Sequence, residues 1–203
     1  MKTRDWQKLF GEQSRLGKQL FTTTELANAT GTPRRVINVE MVRLVRYGVV
    51  NRYARGLYGL PENVSLEKLV AALDPYAYVT GMYALVRHGL VTQVPAVVTC
   101  FTVRRHYHRE WETPAGRIEF VCVKPPVYRR EVEGTAGPEQ ALCDFVYLAL
   151  RRGTDPRSLA TFRRLTTLKP SLLSRVVKRY PSTVARCVAV LPGIRNHGQQ
   201  TDF

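Results

Sequence analysis

Long apolar runs are missing from this chain. No stretch of its 203 residues approaches the roughly 18 unbroken apolar residues of a membrane-spanning helix, so no membrane partner is expected. The opening Met1-Lys2-Thr3-Arg4-Asp5-Trp6 has no signal-peptide apolar core behind it, and a cytoplasmic location is expected. Cysteine is scarce and poorly placed for metal. Cys100, Cys122, Cys143 and Cys187 include no pair at the roughly two- to four-residue spacing of a zinc site, and no histidine pair completes one. Reduced, mostly buried thiols are expected instead, with Cys100 and Cys122 inside apolar strand-like runs. Internal repeats and low-complexity blocks are absent as well.

Acidic residues are also few. Sixteen Asp and Glu stand against 31 Lys and Arg, giving a net charge of +15 and a pI near 10.1. Such a balance draws a polyanion, with nucleic acid the commonest and a membrane surface its rival. The charge is uneven. Residues 1–61 carry 11 basic against 4 acidic side chains, residues 62–150 carry 9 against 10, and residues 151–203 carry 11 against 2. Two basic ends around a neutral middle suit a DNA-contacting head and a second basic surface. A hydrophobic content of 44% is enough for a packed core.

The first sixty residues are dense in helix signals. Trp6, Leu9 and Phe10 share one helix face. Thr22 and Glu25 have the spacing of a capping box, and Phe21 and Leu26 flank it as a hydrophobic staple. Gly31 ends this short helix by taking a left-handed conformation. A second start follows at once, with Thr32 as cap and Pro33 at the first helical position. Ile37, Met41 and Leu44 repeat as its buried stripe, and Gly48 ends it. Two strands, Val49–Tyr53 and Leu57–Leu60, joined by Ala54-Arg55-Gly56, suit a bulged hairpin. Together these elements describe a winged helix-turn-helix over residues 1–62.

A recognition helix meets base edges through its N-terminal residues, here Arg34, Arg35 and Asn38. Arginine reaches guanine bidentately and asparagine reaches adenine. Two arginines in a first turn oppose the helix dipole, a penalty that a nearby phosphate reverses. Arg52 and Arg55 in the wing are placed for phosphate or the minor groove, and Lys18, Arg43 and Arg46 for backbone contacts or plain solvation. The cap residues Thr22 and Thr32 complete the candidate DNA-binding set. Arginines on helix faces also serve solubility alone, and helix-turn-helix units also dock proteins. Two capped helices, a basic wing and a basic chain favour DNA.

Residues 63–203 read as a larger mixed α/β domain that ends in helices, making the whole chain α+β. Pro61-Glu62-Asn63 marks the boundary. Leu66, Leu69, Val70 and Leu73 form a helical stripe stopped by Asp74-Pro75. A short strand at Tyr76–Thr80 leads into a helix from Gly81 to His88, stopped by Gly89. Ala96–Val103 and Arg117–Lys124 read as strands, with a hairpin or loop between them. Helices are expected at Pro138–Leu150, Pro156–Thr166 and Pro170–Arg179, then an apolar stretch at Val184–Leu191 and a loose tail from Gly193.

Three pieces of the chain carry a resemblance. They are Arg43-Leu44-Val45-Arg46-Tyr47-Gly48-Val49-Val50 running into Arg52-Tyr53-Ala54-Arg55-Gly56-Leu57-Tyr58, then Tyr78-Val79-Thr80-Gly81-Met82-Tyr83-Ala84-Leu85 with His88-Gly89-Leu90, then Ala136-Gly137-Pro138-Glu139-Gln140-Ala141-Leu142-Cys143-Asp144. In that order the chain resembles the AbiEi family, antitoxins of type IV toxin–antitoxin systems. The resemblance implies a winged helix that represses its own operon through inverted repeats of double-stranded DNA, with possible dimerisation on that operator. It also implies a C-terminal domain that counteracts a nucleotidyltransferase-type toxin, with direct contact left open. The basic C-terminal residues Arg163, Arg164, Arg175, Lys178 and Arg179 would extend the DNA footprint or meet an acidic partner.

Enzyme constellations are weak. Glu119 and Lys124 are an odd number apart on one expected strand, hence on opposite faces, and no Asp or Glu is followed two residues later by Lys. His106, His108 and Glu110 share a spacing that could hold a metal, but Arg104, Arg105 and Arg109 would repel a cation. His88 reads as a structural helix-end residue, and Glu139 and Asp144 are not aligned for paired acid–base work. The Gly-Ser and Asp-x-Asp signature of a nucleotidyltransferase is missing. No catalysis, metal or cofactor is expected.

Overall fold

The computed structural model describes residues 2–61, 64–129 and 134–194. The chain is α+β and divides into two compact units. The first holds the chain up to Pro75 together with Glu112–Gly116, and the second holds Tyr76–Trp111 and the chain from Arg117 onward. The boundary expected at Glu62-Asn63 and most of the tail after Gly193 lie outside the described residues. Residues 64–75, expected to open the second half, group with the first unit.

The first unit runs α1 (Thr3–Arg15), β1 (Leu20–Thr22), α2 (Thr23–Thr30), α3 (Arg34–Arg46), β2 (Asn51–Ala54), β3 (Leu57–Gly59) and α4 (Leu66–Leu73). Its three strands form an antiparallel sheet in the order β1-β3-β2. This is a winged helix-turn-helix: α2 and α3 are the two helices of the motif and β2–β3 is the wing. The start of α2 is the one the sequence predicts. Thr22 Oγ1 accepts from the Glu25 backbone N–H at 3.1 Å, and Glu25 Oε2 accepts from the Thr22 N–H at 2.8 Å. Burial works upward on the Glu25 carboxyl, but these bonds and Lys18 outweigh it and hold it below the usual range. Gly31 closes α2 at φ 64°.

The core of this unit gathers Trp6, Phe10, Phe21, Leu26, Ile37, Met41 and Leu44, each 2% exposed or less. Each such side chain contributes about 1.5–3 kcal/mol of burial. Trp6 stacks on Phe10 with centroids 5.6 Å apart, and Phe10 meets Phe21 edge-on at 4.9 Å.

From Tyr76 onward the elements are β4 (Tyr78–Thr80), α5 (Gly81–Arg87), β5 (Val97–Thr102), β6 (Glu110–Thr113), β7 (Gly116–Cys122), α6 (Pro138–Arg151), α7 (Pro156–Leu159), a 3-10 turn at Leu165–Thr167, α8 (Pro170–Val177) and α9 (Ser182–Ala189), all in the second unit except Glu112–Gly116 of the β6–β7 hairpin. The sheet order is β4-β5-β7-β6, with β4 antiparallel and β7 parallel to β5. Helix α6 is the axis of this unit. Most of its length is buried, and α5, α8 and α9 pack around it.

The helix expected over Pro156–Thr166 is a correction: it stops at Leu159. Ala160 is extended, and the Arg163 N–H donates to Leu90 O at 2.7 Å instead of continuing a helical ladder. Arg164 then sits at φ 52°, in the left-handed region. The spacing of the buried residues explains it: Ala160 and Leu165 turn inward while Leu159 stays exposed, so no helical stripe is sustained.

Candidate nucleic-acid interface

Helix α3 presents two distinct faces. At about 3.6 residues per turn, Ile37, Met41 and Leu44 mark one side and Arg35, Val39, Val42 and Arg46 the other. The first set is fully buried and the second exposed. Arg34 and Asn38 are exposed beside this outer face. The sequence therefore places Arg34, Arg35, Asn38 and Arg46 where a duplex could reach them.

Two exposed side chains on this face escaped the sequence reading. Val39 is 69% exposed and Val42 is 65% exposed. β-Branched residues are mediocre helix formers, and in solvent they gain no packing in return. Their signal was present in the sequence as apolar positions outside the Ile37-Met41-Leu44 stripe.

The start of α3 differs from the expectation. Pro33, at φ −55° and ψ 136°, is itself the N-cap residue, and no side chain caps the helix. The Thr32 hydroxyl donates backward to Thr30 O at 3.4 Å, so Thr32 is not the cap. The physical reason is the brevity of the turn. Gly31 is spent closing α2, and an extended Pro33 is needed to aim α3, whose first bonds run from the Val36 and Ile37 N–H groups to Pro33 O. The first turn of α3 contains no acidic residue either.

Other candidates are partly engaged. Both polar groups of Thr22 bond to Glu25, which serves the α2 start. Lys18 forms an ion pair with Glu25 at 2.9 Å. Arg43 pairs with Glu40 at 2.7 Å, and the same Glu40 oxygen accepts from the Trp6 indole N–H at 3.2 Å, tying α1 to α3. In the wing, Arg52 and Arg55 are exposed, with Arg52 Nε donating to Ala54 O at 3.3 Å. The expected bulge is present between Arg52 and Ala54, and Gly56 turns the hairpin at φ 74°.

In the second unit, two of the sequence pieces that carry the family resemblance meet each other. Asp144 of α6 is fully buried and accepts three hydroxyl bonds: Thr80 at 2.7 Å, Tyr180 at 2.7 Å and Tyr78 at 3.1 Å. His88 Nε2 lies 2.8 Å from Ala136 O, again joining the two pieces. Beside them Glu139 accepts from the Lys169 N–H at 2.8 Å, and Gln140 accepts from Arg179 at 3.2 Å. Burial pushes the Asp144 carboxyl up to about 7, against the three hydroxyls and Arg179, which pull it down. Burial and Asp144 together push the Tyr78 and Tyr180 hydroxyls well above their usual range. This cluster has no solvent-facing member at its centre and pins β4, α6 and the turn after α8 together. Of the basic C-terminal residues, Arg163, Arg164, Arg175 and Lys178 are exposed, while Arg179 is turned in on Gln140.

Two side chains considered for enzymatic chemistry have other partners. Glu119 forms an ion pair with Arg152. His106 lies flat on Phe120 with centroids 4.6 Å apart. Among the described residues, no group of three His, Cys, Asp or Glu could hold a metal ion. All four cysteines are free, two of them buried, and Cys122 is only half-buried rather than inside the core.

The fold and the exposed basic helix place this chain in the class of winged helix-turn-helix proteins with a larger α+β second unit. No family model and no curated protein matches the sequence. Among solved structures, the chain is similar in fold to the RV2827C protein of Mycobacterium tuberculosis, at a TM-score of 0.57 and 14% identity, over 89% of this chain and 73% of that one. No helix among the described residues is long and apolar enough to cross a membrane.

Proposed function

We propose that this chain is a sequence-specific, DNA-binding transcriptional repressor. We further propose that it is the antitoxin of a type IV toxin–antitoxin pair, acting in the cytoplasm. It would autoregulate its operon through an inverted-repeat operator and counteract a nucleotidyltransferase-type toxin. One observation carries the DNA-binding reading: the outer face of α3 bears Arg35, Val39, Val42 and Arg46, with Arg34 and Asn38 beside it, all exposed. Arginine and asparagine supply bidentate base contacts, and the uncapped first turn of α3 suits a phosphate. Arg52 and Arg55 on the wing add cations for backbone contact. The antitoxin part rests on the family resemblance of the sequence.

The deciding experiment is a band-shift titration with the duplex upstream of the chain's own gene against a scrambled duplex of equal composition. Preference for the native sequence is the expected result. Equal binding to both removes specific readout. A second reading, a module that neutralises a toxin by direct contact and binds DNA weakly, is favoured by the same two exposed valines. Co-purification with the product of the neighbouring gene separates the two: a stable complex that survives alanine at Val39 and Val42 would leave α3 free for DNA.

A further inference from the structure

The loop between β5 and β6 holds a basic and aromatic tip on a stiff frame. At its start the Arg104 N–H donates to Thr102 Oγ1 at 3.1 Å, and the Arg104 guanidinium lies over the Tyr76 ring at 5.4 Å. In its middle the His106 ring stacks on the buried Phe120, with an interplanar angle of 21°. At its end His108 O accepts from the Trp111 indole at 3.2 Å, and Arg109 O accepts from the Phe120 N–H at 2.7 Å. Between these anchors Tyr107 stands 96% exposed, with the edge of one ring against the face of the other where it meets His108. Arg105, His108 and Arg109 are exposed around it, and Glu110 is the one carboxylate of residues 104–110.

A tyrosine ring held almost wholly in water is a poor structural device, because large aromatic surface is normally buried. Arg105 and Arg109, two positions before and after it in the chain and both exposed, supply cations for the phosphates that flank a base. We propose that Arg104–Arg109 is a binding site for single-stranded nucleic acid. In it Tyr107 stacks an unpaired base, Arg105 and Arg109 take the neighbouring phosphates, and the Arg104–Tyr76 stack offers a second platform. A paired base cannot present its face to Tyr107, so duplex DNA is not the ligand of this loop. A membrane surface fits poorly, since Tyr107 is the only bulky apolar ring at the tip among five Arg and His residues. The site uses none of the residues of α3 and does not depend on the repressor reading.

The test uses the full chain and fluorescein-labelled 12-mers of oligo-uridine and oligo-thymidine, with a labelled blunt-ended duplex as the control, all followed by anisotropy. Tyr107→Ala is expected to weaken binding of a single-stranded 12-mer about tenfold or more, with Tyr107→Phe close to wild type and duplex binding unchanged. Arg105→Ala and Arg109→Ala are expected to weaken it further. A variant carrying Arg34→Ala and Arg35→Ala keeps the single-strand binding. Stronger binding of oligo-uridine than of oligo-thymidine identifies RNA, the reverse identifies DNA, and either supports the site. The proposal is overturned if neither oligomer binds, or if Tyr107→Ala binds them as wild type does. It is equally overturned if Tyr107→Ala loses blunt-ended duplex binding to the same degree, or if its loss appears only on vesicles of anionic phospholipid.

Discussion

At the scale of single residues, the outer face of α3 makes the sharpest statements. Arg35→Ala and Asn38→Ala are each expected to cost about 1–3 kcal/mol on the cognate duplex and to relax base preference at one position. Selection from a randomised duplex pool followed by anisotropy measures both. The valines are mute toward phosphate but complementary to the thymine methyl group in the major groove. Replacing thymine by uracil in the selected duplex is therefore expected to weaken binding by the wild type and to leave a Val39→Ala, Val42→Ala variant unaffected. Asp144 makes a different prediction. Its carboxyl is pushed up to about 7 in the fold, while an unfolded aspartate titrates near 4. Between those values the folded chain holds a proton that the unfolded chain has released. Stability contributed by this site is therefore full below about pH 4, falls as pH rises toward 7, and levels off above it. Urea midpoints at pH 5 and pH 8 are expected to differ, and Asp144→Asn is expected to shrink that difference. An unchanged gap would assign the pH dependence to other groups.

At the scale of elements, the first unit was legible wherever one residue type does one job. The capping box at Thr22 and Glu25, the left-handed Gly31 and the Ile37-Met41-Leu44 stripe all stand where the pattern places them. Thr22→Val is expected to cost about 1 kcal/mol through loss of the cap, read as a lower urea midpoint. Strand β1 was not legible. Its three residues pair Phe21 with Tyr58, but Leu20-Phe21-Thr22 also announces the α2 start, and three residues show no period. Its partner strand holds Gly59, where a Cβ would lie 2.8 Å from Gln19 O and 2.8 Å from a Val64 methyl. Gly59→Ala is thus expected to destabilise the β1–β3 pairing, with a lower thermal midpoint than the same change at Gly11, where a Cβ meets nothing within 4 Å. The cap of α3 was misplaced by one residue because Thr-Pro has two helix-start readings, and the tertiary need to aim α3 chose between them. The long helix expected after Pro156 failed for a non-local reason: the Arg163 N–H finds its partner at Leu90, far away in sequence. The Asp144 cluster was invisible for the same reason, since its hydroxyls come from residues 36 to 66 positions away.

At the scale of the whole molecule, a net charge of +15 makes any duplex association sensitive to salt. The logarithm of affinity is expected to fall linearly with the logarithm of salt concentration, at about 0.9 per neutralised phosphate. Arg52→Ala and Arg55→Ala are each expected to reduce that slope by about 1 while leaving base preference intact, whereas Asn38→Ala should leave the slope unchanged. A wild-type slope near zero would argue against nucleic acid as the partner of the first unit. One contact between α1 and α3 would act as a gauge of such binding. Trp6 and Trp111 are the two tryptophans of the chain, and the Trp6 indole shares a single Glu40 oxygen with Arg43. If a phosphate draws Arg43 away, Glu40 keeps the indole and loses the guanidinium. The emission of Trp6, isolated by Trp111→Phe, would then shift on binding and report from inside the protein that the ligand has arrived outside.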